Sequence, residues 1–314
     1  MRREGSPWRG LGVVFLKELS DHLTSARMRV LELLVVLTAL AAVYGAIQQI
    51  KDSTAEDPFL FLKLFTTTRE QYPLPSFVSF LAFLVPLMAI GLGFDAVNGE
   101  HSRRTLSRIL AQPIYRDALL FGKFLAGLAT LAVSLVALWL LVIGFGLYLL
   151  GIPPGGEEMA RSLVFLLVTI AYGGVWLALA MLFSIIFRSA ATAALVTLGL
   201  WLFLTLIWPA LAPAIVIAFA PSSNEETLIL AAQYLSRLSP STLFGETVLA
   251  ILNPTTRSLG PIYLSQLQGA VLGAPMPLGE SLIIAWPQIV GLVAGTILLF
   301  VLGYIIFQRQ EVRA

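Results

Sequence analysis

Ionisable residues are few in this chain, and their grouping limits the chemistry open to it. The densest group lies in residues 99–123, GEHSRRTLSRILAQPIYRDALLFGK. A short helix over 103–111, stopped by Pro113, puts Leu106, Ile109 and Leu110 on one face and Arg103, Arg104 and Arg108 on others. Such an element can dock in a partner's groove and pass on rigid-body motion; its arginines can equally do no more than hold membrane topology. Two acids border or enter apolar runs. Glu32 has Arg29 one turn before it, placed for i,i+3 pairing, and if left unpaired it could take a cation or proton. Asp95, near the inner end of the second run, reads on its own as a boundary residue. His22 and His101 lack metal-ligand spacing, and no Ser, His and carboxylate set suggests nucleophilic hydrolysis. With no cysteine, the chain has no disulfide, zinc-thiolate or iron–sulfur chemistry. Gly122-Lys123 is followed by Phe124, and Asp117 stands where a phosphate-binding loop needs its first glycine, so this pair does not cradle phosphates.

The elements that must position these groups are apolar. Of 314 residues, 58% are hydrophobic and 12% charged, against about 25% charged in soluble domains. With 20 basic and 18 acidic residues, the net charge of +2 argues against a nucleic-acid partner, which needs clustered unpaired cations. Six runs meet the roughly 20-residue length of a membrane helix: 30–50, 77–97, 118–150, 162–186, 191–220 and 283–307. Pro209 and Pro213 predict a bend in the fifth. The fold expected is all-α and integral to the membrane, one membrane-spanning domain over 1–314. Residues 1–21 are charged and do not resemble a cleavable signal peptide, and no small-residue cleavage site follows the first run, so it reads as a retained span.

Basic residues orient the spans. Arg2, Arg3, Arg9, Lys17, Arg27 and Arg29, then Arg103, Arg104, Arg108, Arg116 and Lys123, then Arg188, Arg309 and Arg313 share one side. The other keeps the smaller group Lys51, Lys63, Arg69, Arg161, Arg237 and Arg257. Both termini are thus expected in the cytoplasm, with the chain multi-pass in the cell membrane. Residues 8–23 predict an amphipathic helix lying along the inner interface with Trp8 as its aromatic anchor, and 98–117 form the cytoplasmic loop. A tight turn at 187–190 joins spans four and five. The outer segment 221–282 predicts helices at 227–238 and 242–252, at the interface or as a small cap. Trp176, Trp201, Trp208 and Trp286 read as interface markers, and Gly122, Gly127, Gly173 and Gly174 as points of close helix approach suited to dimer packing.

A family resemblance joins these features. Glu100, Thr105-Leu106, Leu110-Ala111, Pro113-Ile114, Arg116 and Gly122-Lys123 resemble the E…GTL…LLA-x-P-[IV]…R…GK pattern after the second span of ABC-2 type permeases, with Arg104 where that family often has glycine. Lys17-Glu18-Leu19 in the leading helix, the S-x-x-F-R-S turn of Ser184, Phe187, Arg188 and Ser189, and Ser239-Pro240-Ser241 before Leu243-Phe244 extend the likeness over nearly the whole chain. The resemblance implies a non-enzymatic permease subunit, commonly an exporter, paired with a second copy or a homologue. It implies separate cytoplasmic ATPase subunits that bind ATP and magnesium, so that this chain holds no cofactor. Its coupling surface would comprise Lys17, Glu18, Glu100, Arg103, Arg104, Thr105, Leu106, Arg108, Ile109, Leu110, Pro113 and Arg116. An ion-coupled carrier or channel and a non-transporting accessory subunit remain the alternative readings. The first usually places several ionisable groups near the bilayer midplane, and here the candidates are Glu32 and the Pro209/Pro213 bend.

Overall fold

Long apolar runs with few interior charges close their backbone hydrogen bonds within each segment, and a computed structural model shows a bundle of such helices. It describes residues 8, 10–52, 59–68, 75–102, 115–151, 153–219, 224–259 and 275–310. In chain order the described helices are α1 (Leu11–Thr24), α2 (Ala26–Asp52), the single turn α3 (Lys63–Thr66), α4 (Phe77–Gly93), the short α5 (Asn98–Ser102) and α6 (Arg116–Leu150). There follow α7 (Gly156–Ile186), α8 (Ala190–Leu202), a π-helical turn (Phe203–Ile207), α9 (Trp208–Phe219), α10 (Glu225–Ser236), α11 (Pro240–Leu252) and α12 (Leu278–Arg309). No strand occurs among the described residues. Six stretches are long and apolar enough to cross a membrane: Ala26–Lys51, Phe77–Glu100, Arg116–Leu150, Gly156–Ile186, Ala190–Phe219 and Leu278–Arg309. They match the expected spans, with most ends shifted outward by a few residues.

The rod at the centre is α7, packed by α12, α4, α6 and α11. Gly173 makes one of these approaches possible. A Cβ there would stand 2.6 Å from Leu131 Cδ2 and 3.0 Å from Val85 Cγ1, so α4 and α6 close on α7 over a bare backbone. The glycines singled out from the sequence thus serve packing within the chain: Gly127 meets Leu177, and Gly122 meets Val14. Trp176 and Trp201 are 0% and 2% exposed, core residues and not interface markers. Their rings pack against Tyr172 and Phe83.

The expected proline bend in the fifth span takes a specific form. The N–H of Trp208 bonds to Phe203 O, five residues back, so the chain passes through a π-helical turn before Pro209. In that register the next donor, for Leu204 O, would come from Pro209, which has none. Ser239 Oγ supplies it at 2.8 Å.

The segment 224–259 departs from a superficial cap. Its α10 packs on α9, but α11 buries Phe244, Thr247, Val248 and Ile251 against α7 and α12, with the Phe244 ring stacked 4.4 Å from Tyr172. Ser241 shares hydrogen bonds with Tyr172 and Thr205. Ser239, Ser241 and Phe244 therefore anchor α11 in the bundle, which periodicity alone cannot distinguish from lying on it.

Candidate functional site

One cluster of ionisable residues lies at the end of the bundle where α1 sits. Glycine at 122 begins this assembly. A Cβ at Gly122 would sit 2.8 Å from Val14 Cγ1 and 3.0 Å from Val14 Cβ, so its absence lets α1 lie directly on α6. The face of α1 turned inward carries Val14 and Glu18, while Val13 and Leu16 stand 70% and 65% exposed. A helix stands where one is expected for 8–23, running from Leu11 to Thr24. Trp8 rests edge-on against Phe121, ring centroids 5.1 Å apart.

Contact with α6 brings Glu18 to Lys123. The Lys123 ammonium is 4% exposed and lies 3.0 Å from Glu18 Oε1 and 2.7 Å from Glu100 Oε1. Three elements distant in sequence thus meet at one cation: α1, α5 and α6. A buried ammonium is tolerated only with such partners, and two carboxylates leave the trio one negative charge in excess. Lys17 meets that excess from the solvent side, 2.8 Å from Glu18 and 3.0 Å from Asp21. Burial works to lower the Lys17 pKa, but hydrogen bonds and charges from Glu18 and Asp21 outweigh it and push it up to about 12. Burial would raise the Glu18 carboxyl; the charge of Lys123 and the hydrogen bonds from both lysines hold it below its ordinary 4.5. His22, largely through burial, is held below 6.5 and is neutral at pH 7.

The connection between α4 and α5 is fixed by α7. Ser184 Oγ accepts from the backbone N–H of Val97 at 3.0 Å and of Asn98 at 3.2 Å, and Asn98 Nδ2 donates to Phe187 O. Ser189 caps α8 by accepting from Thr192 N–H. The S-x-x-F-R-S turn thus contributes at Ser184, Phe187 and Ser189 to the same end of the molecule. Asp95 pairs with Arg27 at 2.9 Å, and the Arg27 guanidinium also lies over the Phe94 ring, so Asp95 is an interface residue between α2 and the α4 end. Arg116, at the start of α6, donates to Gln310 O at 2.9 Å, covering the carbonyl end of α12 where a cation is favoured. Asp117 accepts from Tyr304 and Gln308, and Gln310 Nε2 donates to Ile185 O.

Of the expected coupling residues, Lys17, Glu18, Glu100 and Arg116 come together at this end. Arg103, Arg104, Thr105, Leu106, Arg108, Ile109, Leu110 and Pro113 lie outside the described residues, as does the expected helix over 103–111; their flanks, Ser102 and Tyr115, emerge from the assembly just described. The Glu32–Arg29 pairing does not form. Arg29 Nη2 turns back to Thr24 O at 2.9 Å, one of the carbonyls left open where α1 ends, and Glu32 Oε1 accepts instead from Ser134 Oγ at 2.8 Å. Among the described residues, no group of three or more His, Cys, Asp or Glu could hold a metal ion.

Lys123 was legible only as half of a glycine–lysine pair, and its two acids stand 105 and 23 positions away in the sequence. Arg161 gave still less warning. At the opposite end of the bundle it is 0% exposed, donating to Ile251 O, Met276 O, Ser281 Oγ and Glu157 Oε1, with Phe59 beside the guanidinium. Its five donors tie α7 to the end of α11 and the start of α12.

The family model for ABC-2 family transporter proteins matches residues 13–312. A probable ABC transporter permease protein, NosY, of Stutzerimonas stutzeri is 27% identical over 301 residues, covering 94% of this chain and 96% of that protein. A second probable ABC transporter permease protein NosY, of Pseudomonas aeruginosa, is 33% identical over 214 residues, covering 66% of this chain and 68% of that protein.

Proposed function

This chain belongs to the ABC-2 family of transporter proteins and is a multi-pass membrane protein; from that premise we propose that it is the permease subunit of an ATP-driven transporter, moved by separate cytoplasmic ATPase subunits. The observation that carries this reading is the Lys123 junction. Because Lys123 holds both Glu18 and Glu100, α1, α5 and α6 are tied together beside both ends of residues 103–114. A displacement of that segment by an outside motor is therefore delivered to two spans and to the leading helix at once. With α1 on the cytoplasmic side, Lys17 and the basic segment of Arg103, Arg104 and Arg108 are the groups offered to the ATPase, while Glu18 and Glu100 support them from within through Lys123. ATP and magnesium belong to that partner.

Export is the direction we assign. The apolar spans and the helices of 224–259 at the far end suit release of a hydrophobic or amphipathic molecule there. A second permease copy or a homologue completes the path, and the span of α8, the π-turn and α9 offers it an apolar flank, with Leu195, Leu206 and Phe219 at 71%, 64% and 86% exposure.

Co-purification with the candidate ATPase subunit tests the assignment. The triple variant Arg103→Glu, Arg104→Glu, Arg108→Glu is expected to lose the ATPase while keeping its helical content and membrane insertion. Undiminished association would sink the coupling role. Flux driven by an ion gradient through the chain alone would replace ATP-driven transport with a secondary carrier.

A further inference from the structure

Glu32 takes no part in the junction, yet it occupies an apolar span, about 9 Å along α2 from its start at the 1.5 Å rise of a helix. It borders a cavity of about 360 Å³ between α2, α4 and α6, whose other walls include Val35, Val36, Met88, Leu138 and Leu141. The polar members of the lining are Glu32 and Ser134 alone. Ser134 satisfies one acceptor position of the carboxylate, and no other described group bonds it. A carboxylate has about four such positions, and a charge in apolar surroundings is costly unless paired. The site is therefore built for a cation that brings its own apolar body.

The walls decide which cation. A calcium ion needs six or more oxygens and magnesium a near-octahedral shell, while this lining offers one carboxylate and one hydroxyl. An ammonium group needs few partners and can pair directly with Glu32, while a hydrocarbon chain attached to it covers the aliphatic walls. The volume lies within the roughly 300–1,000 Å³ of ligand pockets. Val133, on the rim, is 53% exposed, so the cavity opens on the flank of the bundle where acyl chains lie.

We propose that this cavity binds amphipathic amines in their protonated form, the ammonium pairing with Glu32 and Ser134 holding the carboxylate in place. The amine can belong to a free lipophilic amine or to an ethanolamine lipid headgroup. Protein-dependent binding of dodecylamine and of dodecanol, measured in nanodiscs of phosphatidylcholine and phosphatidylglycerol at pH 7 against empty discs, tests it. The wild-type chain is expected to prefer the amine at least tenfold. Glu32→Gln should abolish that preference without changing dodecanol binding, and Ala137→Trp, which fills the cavity and leaves the carboxylate, should reduce both. Competition by added phosphatidylethanolamine assigns the site to the lipid, and its absence assigns it to free amines. Equal binding of amine and alcohol, or full amine preference in Glu32→Gln, overturns the proposal. So does an Ala137→Trp variant that dissociates a dimer while the wild type shows no amine preference, since a second copy then fills the space. The assay contains no ATPase subunit, so its failure leaves the transport role untouched.

Discussion

A single ammonium carries more of this assembly than its neighbours do. Lys123 is buried between two carboxylates, whereas Lys17 is 58% exposed and bridges the same region from outside. Lys123→Met takes their shared buried cation from Glu18 and Glu100, and loss of one partner from a buried charge pair typically costs about 3–5 kcal/mol. Lys17→Ala should change stability by less than about 1 kcal/mol, as exposed pairs do. Denaturant unfolding of the purified chain in detergent will rank the two, and equal effects would show that Lys123 is no keystone. Acid should act on the same helix. Glu18 and His22 both have folded-state values below their ordinary ones, so the folded chain releases these protons more readily than the unfolded chain. Their contribution is complete above those ordinary values and is lost as pH falls. Docking of α1, followed by hydrogen exchange of its amides, should weaken below about pH 6.5 as His22 is forced to charge, and further below pH 4.5 as Glu18 is neutralised. Protection factors that stay flat from pH 7 to pH 4 would refute this.

Contacts between elements depend on small residues at one end and a large cation at the other. At Gly122 a side chain meets the β-branched Val14, which has little rotamer freedom in a helix. Gly122→Leu should lift α1 from α6 and separate Glu18 from Lys123. The measurable results are faster proteolysis within residues 10–25 and reduced ATPase co-purification, with the six spans still inserted; unchanged proteolysis would mean that α1 docks by other means. Arg161→Met keeps the length of the side chain but leaves Ile251 O, Met276 O and Ser281 without their donor. Orphaned buried acceptors cost about 1–3 kcal/mol each, so α11 should loosen and its amides exchange faster, while α1 remains protected. Loss of protection throughout the chain would instead make Arg161 a requirement for folding as a whole.

For the whole molecule, orientation is the expectation on which the mechanism turns, and the absence of native cysteine makes it simple to measure. Ser20→Cys on α1 and Glu226→Cys on α10 place single thiols at exposed positions of opposite ends. In intact cells a membrane-impermeant maleimide should label Cys at 226 and spare Cys at 20 until the membrane is opened. The reverse pattern would put the basic segment of 103–108 outside and end the proposed coupling.

Spans, their number and the presence of a helix before the first of them were readable from residue order, because bilayer thickness and helical rise convert directly into run length and periodicity. Even the paired motifs were visible: Glu100 with Gly122-Lys123, Lys17-Glu18-Leu19, and Ser184 with Ser189. Their meaning was not. That Glu18 and Glu100 share one lysine, that Ser184 holds the start of α5, that Glu32 turns to Ser134 and away from Arg29, and that α11 sits within the bundle all depend on which helix faces stand side by side. Those choices rest on short-range packing and hydrogen bonding between segments remote in sequence, so only the folded chain makes them.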